Sequence, residues 1–315
     1  MLTSLLWILV FPGFLFLAVM AMVFEFVDRK LYARLQNRQG PPWYQPFADF
    51  IKLASKEDIV PENASSFIFT FIPVVALAAA ITPFFYIPVW GTQALYSFSG
   101  DLIVVIYLLT IPTLCFFLGG WYSVSLFSTI GATRTLTQLF AYEVPLFLAV
   151  LSPAVLANTW SLSEMAEFYT AHPALSLVNL LGLAVALVAL QGKLERVPFD
   201  IPEAETEIVG GAFTEYSGRL LALFRMTVDI ELVVGCSLIA AVFLPWGLSP
   251  DMSAYLAFAI YLLKVLALLF VLALMRTVLA RIRIEQMIVF CWKYVAPAAL
   301  LQLLISVLVG GLFLS

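Results

Sequence analysis

Six of the chain's 20 carboxylates fall between positions 195 and 215: Glu195, Asp200, Glu203, Glu205, Glu207 and Glu215. Acids at that density can relay protons or attract cations. They alternate with Val197, Phe199, Ile201, Ile208, Val209 and Phe213, an apolar set that a fully solvated loop would waste. Part of the segment is therefore expected to pack against its own protein or a partner. Asp200 followed three residues later by Glu203, with Pro202 between them, has the form of a capping box. A helix starting there would put Glu203 and Glu207 on one face and turn Glu205 away.

A second group of ionisable residues lies inside apolar runs, where a charge costs about 2.5–3.5 kcal/mol at a helix centre. Glu143 and Lys264 are the deepest and are expected to face the protein interior. A mutual ion pair would keep both charged against the desolvation that opposes it. Asp229 and Glu231 lie near the inner end of one run and Glu25 and Asp28 near the end of another; Glu25, Asp28 and Glu231 are expected to reach the interface. Redox chemistry has no home in the chain. Cys115, Cys236 and Cys291 are far apart and His172 is the single histidine, so neither an iron–sulfur cluster nor a bis-histidine haem can be built. Electrons must be handled by partner proteins, and no metal site is expected.

The elements that must position these residues are membrane helices. The 315 residues are 63% apolar and 11% charged, with a mean hydropathy of +1.02. That balance excludes a soluble enzyme, a nucleic-acid binder and a disordered chain. Eight apolar runs are near the length that a ~30 Å hydrocarbon core requires: 2–27, 67–90, 102–121, 139–157, 174–190, 230–247, 254–275 and 294–314. The expected architecture is an all-α integral membrane protein of about eight transmembrane helices, one polytopic domain over 1–315. Every basic residue except Lys264 lies in the connections at about 28–66, 122–138, 191–229 and 276–293. The positive-inside rule places those four loops in the cytoplasm and both termini outside.

The first of these loops carries Arg29, Arg34, Arg38 and Lys52, and breaks at Gly40-Pro41-Pro42. Phe47, Phe50, Ile51 and Ala54 then follow the i, i+3, i+4, i+7 spacing of an amphipathic helix, with Asp49 and Lys52 off that stripe. The helix is too short to span and is expected to lie on the membrane surface.

Four motifs in order resemble one family. Arg38-Gln-Gly40-Pro41 with Gln45-Pro46, Asp49 and Lys52 is similar to the first cytoplasmic loop of the quinone-site membrane subunit of respiratory complex I. The same pattern marks the membrane-anchor subunits of energy-converting [NiFe] hydrogenases. Tyr142-Glu143, the acidic stretch from Pro198 through Thr214-Glu-Tyr-Ser-Gly218, and Lys264 with Arg276, Arg281, Arg283, Trp292 and Lys293 complete it. The resemblance implies a membrane subunit joining a cytoplasmic redox module to ion-translocating membrane subunits. Implied partners are a [NiFe]-hydrogenase-like large subunit, an iron–sulfur small subunit and antiporter-like membrane subunits. The [4Fe–4S] clusters and NiFe centre would reside in those partners. Docking would fall on Asp28, Arg29, Arg34, Arg38, Asp49, Lys52, Phe199, Asp200, Arg281 and Arg283. An ion path would use Glu143, Lys264, Glu215, Asp229, Glu203, Glu205 and Glu207. The short route from Gly40 to Gln45 resembles the hydrogenase and sulfane reductase branch, whose members need not bind quinone. A quinone-binding subunit of complex I type is the alternative, and a stand-alone ion-coupled transporter or a purely structural anchor the alternatives of another class.

Overall fold

Proline, glycine and charge set the helix ends, and the apolar stretches between them form the helices. The computed structural model describes residues 7, 9–248 and 252–313, and every regular element among them is helical. Helix α1 (Phe14–Leu35) starts after the Pro12-Gly13 turn and carries Glu25, Asp28, Arg29, Lys30 and Arg34 in its second half. The expected first span at 2–27 is therefore not one continuous helix: residues 1–6 and 8 lie outside the described set, and the backbone turns at 10–13. Helix α2 (Gln45–Ala54) is the expected amphipathic helix. Helices α3 (Ser66–Ile81), α4 (Asp101–Tyr122), α5 (Leu126–Ala157), α6 (Leu162–Ala171) and α7 (Leu180–Lys193) follow. Helices α8 (Gly218–Phe243), α9 (Ala254–Val278), α10 (Ile284–Phe290) and α11 (Ala296–Phe313) complete the chain. Among the described residues seven helical stretches are long and apolar enough to cross a bilayer, so the protein is multi-pass. The expected first span is not among the seven; its described part is the charged helix α1.

Two helices reach further than their apolar runs. Helix α5 begins at Leu126, not near 139, so the expected loop at 122–138 shrinks to the link between Tyr122 and Leu126. Its first turns are held by the acidic segment. A Cβ on Gly131 would overlap the Ala212 backbone nitrogen, so only glycine permits that approach. Gly211, at φ +56°, has the left-handed backbone that glycine adopts freely. Helix α8 begins at Gly218 and places Asp229 nearly half-way along it. An aromatic cluster buries that early part: Phe69 stacks on Tyr216 at 4.0 Å, and Phe224 meets Tyr216 edge-on at 4.8 Å. Asp58 caps its first turn by accepting from the Arg219 backbone N–H at 2.7 Å.

Helix α8 is the axis of the fold. It packs against α1, α2, α3, α7 and α9, while α5 carries α4, α7 and α11 on its own flanks. In lipid, helix association rests on close packing and interhelical hydrogen bonds more than on the hydrophobic effect. Buried hydrogen bonds between helices fit that rule. Tyr261 and Ser237 join α9 to α8 at 2.6 Å, and Gln302 on α11 donates to Asn179, at the start of α7, at 3.2 Å.

Candidate functional site

At the charged end of the bundle, α1, α2, α8 and the acidic segment enclose a chamber of about 690 Å³. Its wall is part ionic and part apolar. Met22, Pro46, Phe50, Leu53, Leu221 and Met226 supply an apolar strip. Glu25, Arg29, Asp49, Lys52, Lys56, Glu195, Arg196, Asp200, Glu203, Arg225, Asp229, Arg276 and Arg281 supply the charge. The volume falls in the range of small-molecule sites.

A buried charge cluster forms the chamber's floor. Arg196 reaches Asp28 at 2.7 Å and Glu25 at 3.2 Å, and Arg276 meets Asp28 from α9 at 3.1 Å. Arg29 binds Glu25 at 2.5 Å and extends to Asp49 at 3.0 Å, which pins the amphipathic helix to α1. Glu25 and Asp28 thus do not reach the interface as expected. Both are buried, because three arginines from three segments offset their desolvation. Asp200 pairs with Arg281 at 3.0 Å and Glu203 with Arg225 at 2.7 Å, tying the acidic segment to the last charged connection and to α8.

The expected capping box does not form. The segment has one helical turn, Glu205–Ile208, capped by Ala204. Ile201, Ala204 and Ile208 are anchored in the interior, and arginines on different helices pull the flanking acids apart. Glu203 turns into the chamber, whereas Glu207 turns outward to Arg134 at 2.7 Å. The side chain of Glu205 lies outside the described set. Glu215 is half-buried beside Tyr216 and does not line the chamber. Phe199, expected on a docking surface, is only 3% exposed and stacks on Phe290; its apolar ring is a core element. Arg34, Arg38 and Arg283 are exposed and stand clear of the chamber.

Two features escaped sequence reasoning. Lys193 reads as one more basic residue of a polar loop, yet it is buried and pairs with Glu231 at 2.6 Å. The two side chains are 2% and 1% exposed, so Glu231 does not reach the interface either. Lys193 also donates to the Leu109 carbonyl oxygen. The second is Glu195. Burial, and then the neighbouring Glu203 and Glu231 carboxylates, push its pKa up to about 8. Its Oε1 is closed off from solvent without a protein partner among the described residues. The signals in the sequence were Lys193 close behind an apolar run and the place of Glu195 in an acidic segment interleaved with apolar residues.

These residues bridge the chamber to the bundle interior. Glu195 and Glu203 line the chamber and also a small void of about 20 Å³ that touches Lys193 and Glu231. Lys193 in turn lines a second void of about 20 Å³ with Tyr142 and Glu143. The expected Glu143–Lys264 pairing is absent. Helix α9 packs on α1 and α8 while Glu143 sits on α5, so Lys193 and not Lys264 is the base nearest Glu143. Among the described residues no group of three or more His, Cys, Asp or Glu is arranged to hold a metal ion.

The sequence profile described as NADH dehydrogenase matches residues 7–307. The chain belongs to the NADH dehydrogenase family. Two similar members of that family are NADH-quinone oxidoreductase subunits, one from Thermus thermophilus and one from Syntrophotalea carbinolica. The first is 34% identical over 91% of this chain and 81% of the relative. The second is 32% identical over 89% and 88%. Among solved structures, a chain of the membrane-bound sulfane sulfur reductase, an archaeal respiratory membrane complex, superposes with a TM-score of 0.83. It is 28% identical, covering 93% of this chain and 96% of that one. The expected resemblance to complex I and its hydrogenase-related branch is thus borne out, and membership of the NADH dehydrogenase family makes the chain a membrane subunit of a redox complex.

Proposed function

We propose that the chain is the chamber-forming membrane subunit of a complex I-type oxidoreductase, and that the chamber receives a quinone. The observation carrying this reading is the chamber itself: about 690 Å³, with an apolar strip for a ring and a titratable acid in its wall. The names of the relatives above support quinone as the acceptor. Reduction of a quinone to a quinol takes two electrons and two protons. The electrons come from an iron–sulfur subunit docked on the charged face, which the positive-inside rule puts in the cytoplasm with the termini outside. The protons come from groups that hold them near neutral pH, and Glu195 is one that lines the chamber.

Proton loss by Glu195 places a negative charge beside Lys193. That charge competes with Glu231 for the lysine and loosens the buried pair. Relaxation of the pair changes the field at Glu143, from which adjoining ion-translocating subunits are biased. Asp229, Glu203 and Asp200 set the chamber's charge, while Arg34, Arg38 and Arg283 are left for partner contacts.

A hydrogenase- or sulfane-reductase-type role is the second reading. It is favoured by the short turn from Gly40 to Gln45 and by the number of ionic groups in the chamber wall. There the chamber would hold water and respond to charge alone. The test is kinetic. In membranes containing the whole complex, Met226→Trp should fill the chamber and raise the KM for a short-chain quinone at least tenfold, leaving electron transfer to a soluble dye intact. An unchanged KM, or no quinone reduction by the parent complex, would favour the second reading.

A further inference from the structure

Helix α9 shares with the stretch Ile284–Leu312 the lowest cover of the seven membrane-crossing stretches: 33% of its apolar window is buried, against 83% for α8. Its inner side is fully engaged. Phe258 stacks on Trp90 at 4.4 Å, Tyr261 bonds Ser237, and Arg276 lies over Tyr32 at 4.3 Å. Its outer side is a continuous exposed stripe of Leu256, Leu263, Phe270, Leu274 and Val278. Lys264 sits on the shoulder of that stripe, partly exposed, one position from Leu263. It is the eleventh residue of the helix, at least about 15 Å from either end, so its ammonium is near the bilayer midplane.

Lys264 has no counter-ion among the described residues. None of the ion pairs there involves it, and no charged group stands close enough to act on it. A lysine facing hydrocarbon at that depth lies too far from either surface to snorkel out. The described acids of a second copy offer nothing at that depth to meet it. Glu25, Asp28 and Glu231 are already ion-paired, Asp101 accepts from the Leu162 N–H, Asp229 lines the chamber, and Glu143 lines its own void.

We infer that the outer stripe of α9 is the seat of a transmembrane helix from a different subunit, carrying an aspartate or glutamate at mid-membrane that pairs with Lys264. The proposal rests on the reading that the chain works inside a membrane complex, but not on what the chamber binds. Charge complementarity at one depth fixes the partner's register. Flanking Leu263 and Phe270 supply the apolar contact on either side.

The test uses the whole complex in native membranes. A photo-crosslinking residue placed at Leu263, with Lys264 intact, should capture one membrane subunit at a segment containing an intramembrane acid, identified by peptide mass spectrometry. Lys264→Glu should lower that capture at least tenfold, Lys264→Arg should keep it, and changing the captured acid to lysine in the Lys264→Glu background should restore it. Capture of lipid alone, or of a segment with no acid at that depth, would overturn the proposal. So would unchanged capture in Lys264→Glu. A chamber that proves not to bind quinone alters none of these outcomes.

Discussion

Replacing Lys193 by methionine removes the base from a pair whose members are 2% and 1% exposed and 2.6 Å apart. Glu231 would be left as an isolated buried acid, and the Leu109 carbonyl would lose a donor. Breaking a buried pair from one side costs about 3–5 kcal/mol, whereas replacing both members by apolar groups of similar volume is near neutral. For a chain of this length that cost corresponds to a fall in Tm of about 5–8 °C. Lys193→Met and Glu231→Leu should each show it, and the double variant should recover to within about 2 kcal/mol of the parent. The coupling between the sites would then exceed about 3 kcal/mol. Thermal unfolding of the purified complex in mild detergent, followed by aggregation and tryptophan fluorescence, measures all four proteins. The double variant should be stable but uncoupled: electron transfer persists while gradient formation is lost. Single variants as stable as the parent, or a double variant no better than the singles, would refute the assignment of a desolvated, mutually dependent pair.

Other outcomes follow from the same geometry. Gly131→Val would drive its side chain into the backbone of Gly211 and Ala212, so the acidic segment should lift off and become cleavable by protease, with stability lost by about 3 kcal/mol or more. Glu195 keeps its proton up to about pH 8 in the folded chain, against about 4.3 for an unfolded glutamate. Its contribution to stability is thus present in acid and drains away as pH rises between those values. Glu195→Gln should flatten that decline in a Tm-versus-pH series, and a parallel slope in both proteins would contradict the assignment. Glu143→Gln should leave assembly and dye reduction intact while abolishing ion-gradient formation in vesicles; full pumping would reduce Glu143 to a structural group.

Much of the framework is legible in one dimension. Apolar length gives the spans, the Phe47, Phe50 and Ile51 spacing gives α2, and the basic loops pick out the charged end. What one dimension hides is who meets whom. Lys193 looks solvated because it ends an apolar run, and only the approach of α8 shows that it is buried opposite Glu231. Phe199 looks available for docking because it stands among acids, but Phe290, far along the chain, covers it. The long start of α5 depends on a glycine contact with residues about 80 positions away. Glu143 and Lys264 read as partners because both are ionisable residues inside apolar runs, and that says nothing about the side of the bundle on which a helix lies. The chamber is the clearest case: its walls come from α1, α2, α8, α9 and the connections between helices, and no single motif contains it.

Whether the chamber receives a quinone can be read out with a photoreactive quinone analogue, illuminated in membranes holding the whole complex and mapped by peptide mass spectrometry. Labelling should fall on the apolar strip of Met22, Phe50, Leu221 and Met226 and be displaced by excess unlabelled quinone. Labelling confined to the exposed membrane face, or undiminished by competitor, would contradict a quinone-receiving chamber.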